Sequence, residues 1–195
     1  MKLAFVGNMG SGKTTIADYL ERNHGYKRLS LADPIREDIL KLMQMRIPDA
    51  TMDLIKEHKH KFRLIMQQYG TEVIRGFLGK DYWTHICIER ASQYQFVAVD
   101  DCRFLDEVDL WRKSGGIVVK IMCPEETRRN RLHKRDGEYT DSEWAALQQH
   151  ESEAQVDSIV PDLVVWNSGD SLRQLALILD DFVYRLETAK SAREG

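Results

Sequence analysis

The chain has 195 residues, 43% of them apolar, enough to bury one sizeable core as a single domain with room for an insert. Lysine and arginine total 28 against 31 aspartate and glutamate, a formal net charge of −3, so no strong basic field exists to hold a nucleic-acid polymer, while a small charged ligand in a local pocket is allowed. The three widely spaced cysteines, Cys87, Cys102 and Cys123, fit reduced thiols of a cytoplasmic protein and not a disulfide framework. The first residues lack a signal peptide's apolar region, and no apolar run approaches the roughly 20 residues of a membrane span.

Residues 3–6 are an apolar run stopped by Gly7; after a loop of small residues, the spacing of Ile16, Ala17, Tyr19 and Leu20 predicts a helix over 14–21. A weaker strand is expected over 26–31, and Asp33-Pro34 reads as an N-cap with proline at the first position of a helix over 35–45. Residues 51–93 carry helical periodicity and much charge, with Gly70, Gly76 and Gly79 as breakers, and form a helical subdomain between two strands. Residues 96–99 are the strongest buried-strand signal and end in Asp100-Asp101; a helix over 105–113 is closed by Gly115-Gly116, and 117–122 are the next strand. Pro124 opens a very basic helix that holds Arg128, Arg129, Arg131, Lys134 and Arg135 and ends at Asp136-Gly137. A helix through His150 and Glu153, a last strand over 163–166 and an amphipathic helix over 171–186 follow, leaving 187–195 as a frayed polar tail. This alternation predicts an α/β fold of three layers, about five parallel strands flanked by helices, with ligands at the strands' carboxyl ends. The helical acceptor-binding region spans roughly 33–93 and a lid roughly 124–153.

Gly7-Asn8-Met9-Gly10-Ser11-Gly12-Lys13-Thr14 fits the pattern G-x-x-x-x-G-K-S/T without mismatch, between a strand and a helix as the pattern requires. Gly10, Ser11, Gly12, Lys13, Thr14 and Thr15 would cradle the phosphates of ATP with their backbone N–H groups; Lys13 would bridge the β- and γ-phosphates and Thr14 would ligate Mg²⁺. Neither Asp-x-x-Gly after the third-strand region nor Asn-Lys-x-Asp occurs, which argues against a switch GTPase. A kinase for a small acceptor needs instead a second phosphate clamp and an arginine-bearing lid. Arg128, Arg131 and Arg135 share one helical face, and Arg128 with Arg131 is the preferred catalytic pair; the bland alternative is a solvated basic helix.

On the acceptor side, Asp101 is assigned to the Mg²⁺ shell or the acceptor, with helix capping by one of Asp100 and Asp101 as the alternative. Asp33 either orients the attacking oxygen or only caps its helix, and Arg75 and Arg103 are candidates to neutralise the acceptor's phosphate. Tyr82 and Trp83 are placed to stack on a nucleobase or to pack in the core. Cysteines and histidines lack metal-site spacing throughout, so no structural zinc is expected.

Over nearly its full length the chain resembles the phage-type deoxynucleoside monophosphate kinases, within the P-loop nucleoside-monophosphate kinases. The shared blocks after the phosphate loop run from Leu31-Ala32-Asp33-Pro34-Ile35-Arg36-Glu37 to Gln68-Tyr69-Gly70-Thr71-Glu72-Val73-Ile74-Arg75 and Asp81-Tyr82-Trp83. They continue with Asp101-Cys102-Arg103-Phe104-Leu105-Asp106-Glu107, then Gly115-Gly116, then His150-Glu151-Ser152-Glu153. The resemblance implies ATP-dependent conversion of a dNMP to the dNDP, with Asp33, Arg36, Arg75, Arg103 and Glu151 near the acceptor; Gln68, Trp83, Asp101 and Glu107, which lie in the same blocks, are assigned with them. The animal-type phosphomevalonate kinases are similar in the phosphate loop and in Lys59-His60-Lys61-Phe62-Arg63, and dephospho-CoA kinase is a more distant comparison. A regulatory nucleotide-binding protein without phosphoryl transfer is the alternative of another class, and a homodimer through residues 76–83 or the last helix is a further expectation.

Overall fold

The computed structural model describes residues 1–149, 151–168 and 171–194, with side chains throughout except at 59, 60, 63, 146, 147, 151, 152 and 190–194. Five strands, β1 (Lys2–Val6), β2 (Lys27–Leu29), β3 (Val97–Val99), β4 (Ile117–Met122) and β5 (Leu163–Trp166), form one sheet in the order β2-β3-β1-β4-β5. Every pairing is parallel: β1 sits between β3 (Ala4 opposite Val99) and β4 (Val6 opposite Lys120). The carboxyl end of β1 therefore opens at the point where the strand order reverses, which is where open α/β sheets bind ligands.

Because both faces are covered, the central strands are apolar without alternation: Leu3, Ala4, Phe5 and Val6 have no exposed surface, nor do Val97, Ala98 and Val99. Leu3, Phe5, Val119, Ile121 and Val165 face Ile16 and Leu20 of α1 (Lys13–His24) and Leu179 and Val183 of α11 (Leu172–Glu194). On the other face Ala4, Val6, Val97, Val99 and Val118 meet Cys87 and Ala91 of α6 (Tyr82–Ser92) and Val108 and Trp111 of α7 (Leu105–Lys113). Each large apolar side chain so buried contributes about 1.5–3 kcal/mol, and these layers hold the strand ends in place for the site.

The helical insert consists of α2 (Asp33–Gln44), α3 (Met52–Glu57), α4 (Lys59–Gln67), a π-helical turn (Gln68–Ile74), α5 (Arg75–Leu78) and α6. On the other side of the site lie α8 (Glu125–Asp136), α9 (Asp141–Gln149) and α10 (Glu151–Ser158). A small cluster of Met9, Leu132 and Trp144, with Tyr139 against it, pins α8 and α9 to the loop after β1.

Several expectations are corrected. Asp33 is the first residue of α2 and Ala32 its N-cap; the Asp33 carboxylate reaches back to accept the Ser30 N–H at 3.0 Å. Of the three glycines read as breakers, only Gly79 ends a helix: Gly70 lies inside the π turn, where a Cβ would come 2.6 Å from Ile35 Cδ1, and Gly76 is in α5. The tail is helical as far as Glu194, since α11 continues well past residue 186 with an Arg185–Asp181 pair one turn apart at 2.8 Å. Trp83 is 5% exposed, its Nε1–H donates to Gly70 O at 2.8 Å and its ring meets Tyr82 edge-on, so it belongs to the insert's core and offers no face to a nucleobase.

Candidate active site

Residues 7–12 connect β1 to α1, and Gly12 is the N-cap of α1 at φ +96°. The loop has no room for side chains at three points: a Cβ on Gly7 would sit 2.7 Å from Ile121 O, one on Gly10 2.9 Å from Arg128 O, and one on Gly12 2.4 Å from Asn167 Nδ2. The first N–H groups of α1 have no intrahelical acceptors and carry the positive end of the helix dipole. Ser11 Oγ is buried with no hydrogen-bond partner among the described residues, a polar atom that a phosphate oxygen would satisfy. The loop thus fits the triphosphate that its sequence implies.

Lys13 is buried and donates to Gly7 O at 2.5 Å and Asn8 O at 3.1 Å. Burial, and next the charge of Arg103, push its pKa down to about 8, against the pull of Glu153, Asp100 and Asp101. An anion delivered to this lysine would restore its full charge.

Asp100 and Asp101 follow β3 and part company. Asp100 lies beside Thr14, and Arg28 at the centre of β2 clasps its Oδ2 through Nε at 3.0 Å and Nη2 at 2.7 Å while Nη1 holds Asp18 at 2.6 Å. Burial and the Asp101 charge raise the Asp100 pKa. Asp101 instead accepts from Ser30 Oγ (2.5 Å), Leu31 N (2.7 Å) and Ala32 N (3.1 Å), so its carboxylate is spent on the loop between β2 and α2. Of the two carboxylates Asp100 is the one beside Thr14, while Asp101, the expected metal ligand, faces the loop between β2 and α2. Among the described residues no group of three or more His, Cys, Asp or Glu is placed to hold a metal, so Mg²⁺ here would take most of its ligands from phosphate and water.

Of the four clustered arginines, two turn to the loop. Arg128 is 7% exposed, reaches Met9 O at 3.4 Å and lies 5.8 Å over the Trp144 ring. Arg131 donates through Nη1 to Gly10 O (3.2 Å) and Ser11 O (3.4 Å), and through Nη2 to Asn167 Oδ1 (3.0 Å). Arg129 and Arg135 are taken by Asp141 at 2.6 Å and Asp136 at 2.5 Å. Asn167, just past β5, also donates to Ser11 O at 2.8 Å. Beside it a cavity of about 220 Å³ is lined by Gly12, Thr15, Arg131, Asn167, Leu172 and Leu175.

The acceptor-side residues fall into two groups. Arg36 pairs with Asp33 at 2.6 Å near Ser30. Arg75 pairs with Asp106 at 2.9 Å and Glu107 at 3.4 Å and lies 4.9 Å over the Phe104 ring. Glu107 accepts the N–H groups of Arg103 (2.8 Å) and Phe104 (3.1 Å) at the start of α7; burial raises its pKa to about 7. Arg103 reaches toward Glu153, whose buried carboxylate accepts the Met9 N–H at 2.8 Å. Gln68 is exposed in the π turn, and the Glu151 side chain lies outside the described residues.

Arg28, Asn167 and Glu153 are site residues that the sequence does not single out, although each stands at or near a strand's carboxyl end or inside a shared block. Glu153 carries a signal in its place two residues from Glu151 in a shared block.

Residues 3–156 match the AAA domain family. A UPF0200 protein of Sulfurisphaera tokodaii is 28% identical over 68% of this chain and 65% of its own length, so the match spans less than two thirds of that relative. A protein of Acanthamoeba polyphaga mimivirus, named provisionally as a deoxynucleotide monophosphate kinase, is 27% identical over 63% of this chain and 74% of its own. Among solved structures, a gluconokinase from Sinorhizobium meliloti 1021 superposes with a TM-score of 0.59 at 16% identity, covering 100% of this chain and 97% of that one, a likeness of fold. With its P-loop kinase fold and a match over most of its length, the chain belongs to the AAA domain family.

Proposed function

We propose that this chain transfers the γ-phosphoryl group of ATP, with Mg²⁺, to the phosphate of a deoxynucleoside 5′-monophosphate. The observation that carries the reading is that Arg103, on the acceptor side, stands 3.8 Å from Glu153, whose carboxylate also accepts the Met9 N–H of the phosphate loop, so an acceptor-side cation is held at the loop that carries a buried one, Lys13. Such a pair suits a reaction in which two phosphates meet.

In this reading the cavity beside Asn167 takes the donor's base and the loop takes its phosphates. Arg36, Arg75 and Arg103 neutralise the acceptor, and Arg128 and Arg131 turn from loop carbonyls to the transferring group. An acceptor phosphate oxygen attacks the γ-phosphorus as the bond to the β–γ bridging oxygen breaks, leaving ADP with that electron pair. The attacking oxygen is already anionic, so Asp33, held by Ser30 N–H and Arg36, has only to orient. Thr14 and Asp100 would hold Mg²⁺, which neutralises charge on the phosphate oxygens when bound.

An acceptor screen tests this: ATP and Mg²⁺ with dAMP, dGMP, dCMP, dTMP, AMP, phosphomevalonate and dephospho-CoA, reading ADP. Turnover with one or more dNMPs is expected. Turnover only with phosphomevalonate or dephospho-CoA overturns the acceptor, and silence with all overturns the kinase reading.

A further inference from the structure

Glu153 is a carboxylate from α10, 4% exposed, that reaches into the phosphate loop from 144 residues away in sequence. Its Oε2 accepts the Met9 N–H at 2.8 Å and its Oε1 stands 3.8 Å from Arg103 Nη1. It is also the strongest of the negative charges acting on Lys13, opposed to Arg103, the foremost positive one. One buried anion thus ties the acceptor-side cation, Arg103, to the loop that carries Lys13.

Hydrogen bonding to Met9 does not require that charge. A neutral oxygen would accept one N–H as well, and taking a carboxylate out of water costs several kcal/mol unless cations repay it. The charge is met by Arg103, 3.8 Å away, and offsets the repulsion between Arg103 and Lys13. Its place on α10 further means that the segment following α8 and α9 is fastened to the phosphate loop at the residue, Met9, whose carbonyl accepts from Arg128.

We propose that Glu153 is a positioning residue for phosphoryl transfer: it holds the Arg103 guanidinium at the phosphate loop and anchors α10 to Met9, so that the acceptor phosphate meets a cation already set in place. This rests on the kinase reading above for its chemistry, and on the geometry alone for the Glu153–Arg103 linkage.

The test is a double-mutant cycle of E153Q, R103Q and E153Q/R103Q in the full chain, read two ways. The E153Q substitution keeps an oxygen for the Met9 N–H and removes only the charge, so a purely structural role leaves kinetics unchanged. With a dNMP as acceptor, E153Q is expected to lower kcat/KM for the acceptor by roughly 10- to 100-fold while the KM for ATP stays within about threefold. The double variant should lose no more than R103Q alone. Wild-type kcat and acceptor KM in E153Q, or additive losses, overturn the proposal. Thermal unfolding provides the second reading without any acceptor: R103Q lowers Tm more in the wild-type background, where it takes a cation from a buried carboxylate, than in the E153Q background. Absence of that coupling overturns the linkage even if every acceptor is silent, whereas silence with coupling intact counts against the kinase reading alone and sustains the linkage.

Discussion

Asp100 and Asp101, neighbours in the chain, face different structures: Asp100 is bound by the Arg28 guanidinium beside Thr14, and Asp101 by the Ser30 hydroxyl and the N–H groups of Leu31 and Ala32. Backbone extended at the end of β3 sends successive side chains to opposite sides. Asp100→Asn should therefore lower kcat by about 100-fold and raise the Mg²⁺ concentration needed for half-maximal rate. Asp101→Ala should instead destabilise the fold by about 2 kcal/mol through three lost hydrogen bonds. Magnesium titrations and thermal unfolding of both variants decide, and the reverse pattern would return the metal to Asp101.

Lys13→Ala should reduce turnover at least about 100-fold without lowering Tm, because the lysine's charge is buried at a cost and its donors meet only loop carbonyls. A variant with near-normal rate would refute the phosphate-loop mechanism.

Arg131→Ala should lower kcat by roughly 100-fold with little effect on Tm or on ATP binding. Arg128→Ala should show the same kinetic loss together with a fall in stability of about 1 kcal/mol, since Arg128 alone of the two is buried on Trp144. Single-turnover rates and unfolding curves measure both; an unchanged kcat in either variant makes that arginine a packing residue.

Glu107 provides a pH signature. Burial raises its folded pKa to about 7, above the usual carboxylate value, so the folded state holds its proton more tightly than the unfolded one. Its contribution is fully present below pH 4.5 and is lost as pH rises through 7, a change on the order of 3 kcal/mol. Glu107→Gln lacks this titration, so the stability of E107Q relative to wild type should improve between pH 5 and pH 8. A difference that stays flat across that range would mean that the hydrogen bonds from Arg103 N–H and Phe104 N–H, with the Arg75 pair, outweigh burial.

Trp83→Phe should cost about 1 kcal/mol by leaving Gly70 O without the indole donor. Its acceptor KM should match wild type, whereas a stacking role would raise KM and leave stability alone. Thermal unfolding with acceptor titration separates the two.

Sequence alone determined the local chemistry. The glycine-rich pattern before Lys13-Thr14 requires a strand behind it and a helix ahead, and short continuous apolar runs such as 3–6 and 96–99 bounded by loop residues read as strands covered on both faces. Those facts carry the α/β class, the parallel sheet and the phosphate site, because each depends on residues close together in the chain. The spacing of Arg128 and Arg131 likewise put them on one helical face. What they touch was decided elsewhere: by the cluster of Met9, Leu132 and Trp144, which seats α8 on the loop, and by Asp141, which draws Arg129 away. The tertiary structure also decided between Asp100 and Asp101, buried Trp83 under the π turn, and brought Glu153 and Asn167 to the phosphate loop across 144 and 156 residues of chain. These contacts arise when separate elements dock, and their partners carry no periodicity or motif linking them in the sequence. Packing geometry selects which of several equivalent polar side chains enters the crevice.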